Sequence, residues 1–93
     1  MTNKTQTLEQ EETLTKEVAV EEHELIIFND EVNTFDFVID SLVKVCKHEP
    51  EQAEQCTYII HFNGKCSVKN GTYKKLEPMC TALLDRGISA EIQ

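Results

Sequence analysis

The sequence predicts an α+β domain of two layers, with three helices on one face of a small antiparallel sheet of about three strands, in the order β-α-α-β-α-β. Three observations lead there. Short β-branched or alternating runs at His23–Phe28, Lys65–Lys69 and Ile88–Ile92 have the character of strands. Between them, apolar residues recur at steps of three and four, the helical period. Finally, 93 residues suffice for one hydrophobic core and not for two.

The first strand, His23-Glu24-Leu25-Ile26-Ile27-Phe28, stops at Asn29-Asp30. From Asn33 the period changes. Phe35, Val38, Leu42 and Val45 make a stripe that Ile39 and Cys46 widen, while Asp36, Asp40, Lys44 and Lys47 take the other face. Asn33 or Thr34 caps this helix. A second helix opens at Pro50, the favoured first position, and closes at Gly64, with Ala53, Cys56, Thr57 and Ile60 on one face. Thr57–Phe62 taken alone has strand character, but the helical period before it and the cap signals at both ends predict one helix through Phe62. Lys65–Lys69 alternates as a second strand, and Asn70-Gly71 is expected to turn the chain. Leu76, Met79, Cys80, Leu83 and Leu84 mark a third helix closed by Gly87, with Pro78 either near its start or kinking its first turns. Ile88, Ala90 and Ile92 alternate in a last strand.

Charge divides the chain. Seventeen acids against nine bases give −8, and residues 1–24 hold seven Glu and two Lys, −5 of that total. That stretch has no aromatic residue and few apolar ones, too little to offset the entropy of ordering it. Residues 1–22 are therefore expected to form an acidic, mobile extension, and residues 23–93 the core domain. The negative charge repels phosphate backbones and anionic lipid, so neither nucleic acid nor a membrane is an expected partner. No basic start followed by an apolar run marks the chain for export, so a cytoplasmic location is expected, and the domain is expected to act as a monomer.

Little points to catalysis. There is no Gly-rich phosphate loop, and Cys46, Cys56, Cys66 and Cys80 lack the paired spacing of a zinc site, so they are expected to be reduced core thiols. No metal or other cofactor is expected. Cys46, His48 and His61 are the sole set suggestive of nucleophile and base. Two binding signals remain. Asn29-Asp30 places a side-chain carbonyl and a carboxylate where the first strand ends, which also suits a turn that bonds its own backbone. His61 stands near the end of the second helix, where it could equally be a packed or capping histidine.

These two signals occur together in one family. Leu25-Ile-Ile-Phe-Asn-Asp-Glu-Val-Asn-Thr-Phe-Asp-Phe-Val-Ile, followed by Ile60-His-Phe-Asn-Gly-Lys65, resembles ClpS, the substrate adaptor of the bacterial Clp protease, over about His23 to Ile92. The resemblance implies a non-catalytic protein that binds N-degrons, whose first residue is Leu, Phe, Tyr or Trp, and hands them to an AAA+ unfoldase such as ClpA. It implies that Asn29, Asp30 and His61 hold the target's α-amino group. It also implies that Val32, Asn33, Phe35, Val38, Thr57, Ile60 and Ile88 line the pocket for the first side chain. Phe35 stands where the family usually has Met, at the position implied to exclude β-branched first residues. Thr57 replaces an apolar pocket residue, and its hydroxyl could favour Tyr or bond the helix carbonyl one turn back. The third helix looks short for the family and contains Pro78. The alternative is a structural or interaction domain sharing the fold of the ribosomal stalk protein's C-terminal domain, which needs no convergence of Asn29, Asp30 and His61.

Overall fold

The structure is a computed structural model and describes residues 21–93; the expected acidic extension lies almost wholly outside the described residues. The observed elements are β1 (His23–Phe28), α1 (Phe35–Cys46), α2 (Pro50–Asn63), β2 (Lys65–Gly71), α3 (Tyr73–Asp85) and β3 (Ala90–Ile92). The architecture is α+β, in the predicted order. β1, the most apolar strand, is central: it pairs antiparallel with β2 on one side and with β3 on the other, giving the order β2-β1-β3. Its register with β2 runs from Phe28 opposite Lys65 to His23 opposite Gly71, with a slip between Leu25 and Ile26.

The helices form where the apolar period puts them. Thr34, not Asn33, caps α1, its Oγ1 accepting the Phe37 N–H at 3.1 Å. Lys47 is not on the helix face: it lies past the C-terminus at φ +62, where it ends α1. In α2, Pro50 takes the first helical position, and Gly64 at φ +95 lets its N–H reach back to the Ile60 carbonyl at 2.9 Å. Thr57–Phe62 is helical throughout.

Two expectations need correction. Asn70 and Gly71 do not turn the chain; they extend β2, because Glu24 and His23 at the start of β1 pair with them. The reversal falls on Thr72, whose Oγ1 accepts the Lys75 N–H at 3.1 Å and caps α3. Of the two places expected for Pro78, the start of α3 is ruled out: it lies inside the helix, at the cost of the bond its missing N–H would have made to the Lys74 carbonyl. Past α3, Gly87 at φ +85 lets the Ile88 N–H bond the Leu83 carbonyl at 3.0 Å.

Leu25 and Ile27 of β1, Leu42 of α1, Leu76 and Leu83 of α3, and Ile88 form the centre of the core. Ser41 is buried among them and is satisfied: its Oγ donates to the Phe37 carbonyl at 2.8 Å and accepts from Arg86 Nε at 2.8 Å. Arg86 also donates to Asp40 at 3.0 Å and lies 5.1 Å from the Phe37 ring centroid, tying the end of α3 to α1. Among the described residues, no helix is long and apolar enough to cross a membrane.

Candidate functional site

The loop from Phe28 to Thr34 and the end of α2 meet at one end of the domain. The Asn29 N–H donates to the Gly64 carbonyl at 2.8 Å, which fixes the end of β1 three residues beyond His61. The Phe35 ring, at the start of α1, meets the His61 ring edge-on at 5.3 Å between centroids. These two contacts join the halves of the predicted motif. Among the described residues no hydrogen bond links the Asn29 or Asp30 side chain to His61.

Asp30 folds the loop around itself. Its Oδ1 accepts the N–H groups of Val32 at 2.8 Å and Asn33 at 2.9 Å, and its Oδ2 accepts from Asn33 Nδ2 at 2.9 Å. The Asn33 backbone bond, above all, holds the carboxyl below its ordinary range, with the Asn33 side chain and the Val32 N–H adding to this against some desolvation. The turn-forming role is thus real. A carboxylate has about four lone-pair sites. Three are used, which leaves Oδ2 one position for a further donor. Asn33 Nδ2 also reaches the Gly87 carbonyl at 3.0 Å, bracing the loop against the turn before β3. The Asn29 side chain is exposed and makes no bond among the described residues.

Behind this loop the remaining predicted residues divide by burial. Thr57 and Ile60 of α2 and Ile88 are buried, and Phe35 and Val38, one turn apart on α1, are half-buried. Val32 is 86% exposed. The Thr57 hydroxyl donates to the Ala53 carbonyl at 2.8 Å, so of the two roles open to it the structure has the bond one helical turn back.

Sequence reasoning passed over two neighbours of His61. Tyr58 packs edge-on against Phe35 at 5.0 Å and stacks nearly parallel on Phe62 at 6.1 Å, while Phe62 meets His61 edge-on at 4.7 Å. Phe62 is 72% and Tyr58 47% exposed. The i, i+3, i+4 spacing of Tyr58, His61 and Phe62 carried this signal. His61 is itself exposed, meets two rings, and among the described residues makes no hydrogen bond, which leaves its imidazole nitrogens open to a ligand there. The other members of the suggestive catalytic set do not join it: His48 is buried against β2, and burial pushes the Cys46 thiol up to about 11. All four cysteines are free, and among the described residues no group of three or more His, Cys, Asp or Glu side chains is placed to hold a metal ion.

The backbone matches the structure of Agrobacterium tumefaciens ClpS2 bound to L-phenylalaninamide with a TM-score of 0.76, covering 80% of this chain and 96% of that one at 15% identity. The family described as ATP-dependent Clp protease adaptor protein ClpS matches residues 18–91, and the chain belongs to that family. It is 43% identical over 61 residues to the ClpS adapter proteins of Campylobacter jejuni subsp. jejuni strain 81-176 and of Campylobacter jejuni subsp. doylei. The aligned span covers 66% of this chain and 59% of each relative.

Proposed function

We propose that the protein is a non-catalytic substrate adaptor that binds the free α-amino group and large hydrophobic first residue of N-degron proteins and delivers them to a Clp AAA+ unfoldase. The observation that carries this reading is the exposed, ring-held His61 brought to the Asn29-Asp30 loop by the Asn29–Gly64 bond and the Phe35–His61 contact. An N-terminal ammonium offers three donors and a positive charge. Asn29 Oδ1, the open position on Asp30 Oδ2 and a neutral His61 nitrogen supply acceptors of the matching kind. Asp30, kept ionised by its own loop, supplies the charge. The apolar first side chain enters between Phe35 and Val38 of α1 and Thr57 and Ile60 of α2, above Ile88, with Val32 and Asn33 at the rim. The ligand named for the structural neighbour, L-phenylalaninamide, supports this reading: it has a free α-amine and a large apolar side chain and almost nothing else.

The energetics suit a carrier. Charge-assisted hydrogen bonds contribute about 1.5–3 kcal/mol each and one buried large side chain about another 1.5–3. After the cost of association, affinities on the order of micromolar are expected. Such a complex holds its cargo and still releases it.

Fluorescence anisotropy with peptides differing only at their amino terminus tests the proposal. Acetylating a Leu-first peptide removes its charge and two of its donors, and affinity is expected to fall at least about tenfold, or 1.4 kcal/mol. Equal binding of acetylated and free peptides overturns it. Delivery is assigned to the acidic extension, residues 1–22, which fully stretched reaches roughly 70 Å. Deleting residues 1–20 is expected to leave peptide affinity within about twofold, since distant sites add independently. The same deletion is expected to slow degradation of an N-degron reporter sharply; degradation at the full rate removes the extension from the mechanism.

A further inference from the structure

Residues 65–75 carry Lys65, Lys69, Lys74 and Lys75 and no acid, a local +4 in a chain of −8. They build β2, an edge strand of the sheet, and the first turn of α3. Lys74 and Lys75 are exposed, and Lys69 is half-buried with its Nζ on the Cys46 carbonyl at 3.0 Å. A shallow depression lies between Lys69, Asn70 and Lys75. Among the described residues the ion pairs are those of Lys44, Arg86 and His23, so none of these four lysines meets a carboxylate. The first turn of α3 holds no acid either, and the two lysines there face the end of the helix at which cations are disfavoured.

The acidic extension joins the domain at this same place. His23, the first residue of β1, lies opposite Gly71, and its ring meets Tyr73 edge-on at 5.7 Å. Going back from His23, the chain therefore leaves the sheet beside the start of α3. Residues 9–22 hold Glu9, Glu11, Glu12, Glu17, Glu21 and Glu22 against Lys16 alone. Fourteen residues span at most about 45–50 Å, ample to lie along so near a surface.

We propose that the acidic segment of residues 9–22 docks on its own domain, along the surface carried by Lys69, Lys74 and Lys75. Each exposed ion pair is weak and screened by salt, so the docked segment exchanges with free forms and any partner that takes hold of it can remove it. The extension is then sheltered in the isolated protein and released on handover. This does not depend on what the His61 end of the domain binds.

Zero-length cross-linking of the full chain with a carbodiimide reads the contact directly. The reagent joins a carboxylate to a lysine amine as an amide, and the water lost converts the carbodiimide to its urea. Mass spectrometry is expected to find Glu9, Glu11, Glu12 and Glu17 linked within one chain to Lys69, Lys74 and Lys75. The yield is expected to fall at least about fivefold between about 0.01 and 1 M NaCl, as the Debye length shortens from about 30 to 3 Å. Links spread evenly to Lys44 and Lys47, or links between chains only, overturn the proposal. A full chain with Glu9, Glu11, Glu12 and Glu17 all changed to Gln leaves the core sequence intact. Its backbone amide NMR shifts are expected to differ from the parent's across Lys69–Lys75, and differences confined to residues 21–25 overturn the proposal as well.

Discussion

The two ends of α2 each present a histidine, and the same side chain does opposite things at them. Just before the N-terminal end, His48 is 4% exposed and its Nε2 donates to the Val68 carbonyl of β2 at 2.7 Å. At the C-terminal end, His61 is exposed, meets the Phe35 and Phe62 rings edge-on, and makes no hydrogen bond among the described residues. With Nε2 donating, the His48 Nδ1 is an acceptor, and it is buried without a partner. His48 therefore ties the chain entering α2 to the sheet, and its remaining nitrogen is buried away from any ligand. His61 contributes little to that packing and keeps both nitrogens available. The difference teaches that availability, rather than residue type, separates a binding histidine from a packing one.

The largest expected effect comes from His48. Its removal leaves the Val68 carbonyl without this donor and opens a cavity, so His48→Ala is expected to cost about 2–4 kcal/mol. For a domain of this size that lowers the melting temperature by roughly 10–30 °C. Peptide affinity of the protein that remains folded should be unchanged. A small thermal shift, or lost binding at full stability, would erase the contrast between the two ends.

His61→Ala is expected to give the mirror image. Stability should fall by only about 1 kcal/mol, the low end for the two ring contacts it loses at an exposed site, while affinity for a Leu-first peptide falls at least about tenfold. Asp30 sets no acid limit on binding in the neutral range. Its carboxyl is depressed, so its contribution is complete above the unfolded value near 3.8 and is lost as pH falls below it. Calorimetry together with a pH titration of peptide binding separates the two.

Phe35 bridges the two helices of the exposed end, packing edge-on against both Tyr58 and His61. Such aromatic pairs are worth about 0.5–1.5 kcal/mol each. Phe35→Ala is therefore expected to cost roughly 1–3 kcal/mol and to admit peptides beginning with Ile or Val, which the parent is expected to reject. A parent that already binds them, or a mutant that still refuses them, makes Phe35 a packing residue and no gate.

Which parts of this were legible in the sequence follows from what is local. The helices of 35–46 and 50–63 were, because Thr34, Pro50 and Gly64 carry their caps and the apolar period fills their length. Asn70-Gly71 misled, because a turn dipeptide is overruled when a partner strand, here Glu24 and His23, continues beside it. The strand order β2-β1-β3 and the burial of His48 were not legible, since both depend on pairings between residues distant in the chain. At the site, Asn29, Asp30 and His61 could be named from their motifs. That Asp30 spends three acceptor positions on its own loop could not, nor could the aromatic support of Tyr58 and Phe62.

The buried end should also respond to alkali. Desolvation pushes the Cys46 thiol, beside His48, from its ordinary 9.0 up to about 11, and Cys66 on β2 likewise up to about 11. The folded protein thus keeps both thiols neutral where the unfolded chain ionises them. Stability from this source is complete below pH 9 and is lost as pH rises toward 11. The urea midpoint is expected to be flat up to about pH 9 and to fall above it, less steeply in Cys46→Ala. An unchanged slope in that variant removes Cys46 from the account.

The smallest effect is expected midway between the ends, at Thr57. Its side chain is buried and its hydroxyl already donates to the Ala53 carbonyl at 2.8 Å. Thr57→Val removes that donor while keeping the branched shape. The Ala53 carbonyl is not orphaned, because within α2 it still accepts the Thr57 backbone N–H, the ordinary helical bond. The hydroxyl bond is a local one between a side chain and its own helix, a type that adds little to helix stability. Thr57→Val should therefore shift stability by less than about 1 kcal/mol. The consequence for recognition is sharper than the magnitude suggests. With its proton committed to Ala53 the hydroxyl could still accept from a phenol, but the side chain is buried in the packed domain, so the ratio of affinities for Tyr-first and Phe-first peptides should stay within about twofold on substitution. A tenfold fall in that ratio would show that a phenol reaches the Thr57 oxygen and donates to it, and the pocket would then select by hydrogen bonding as well as by size.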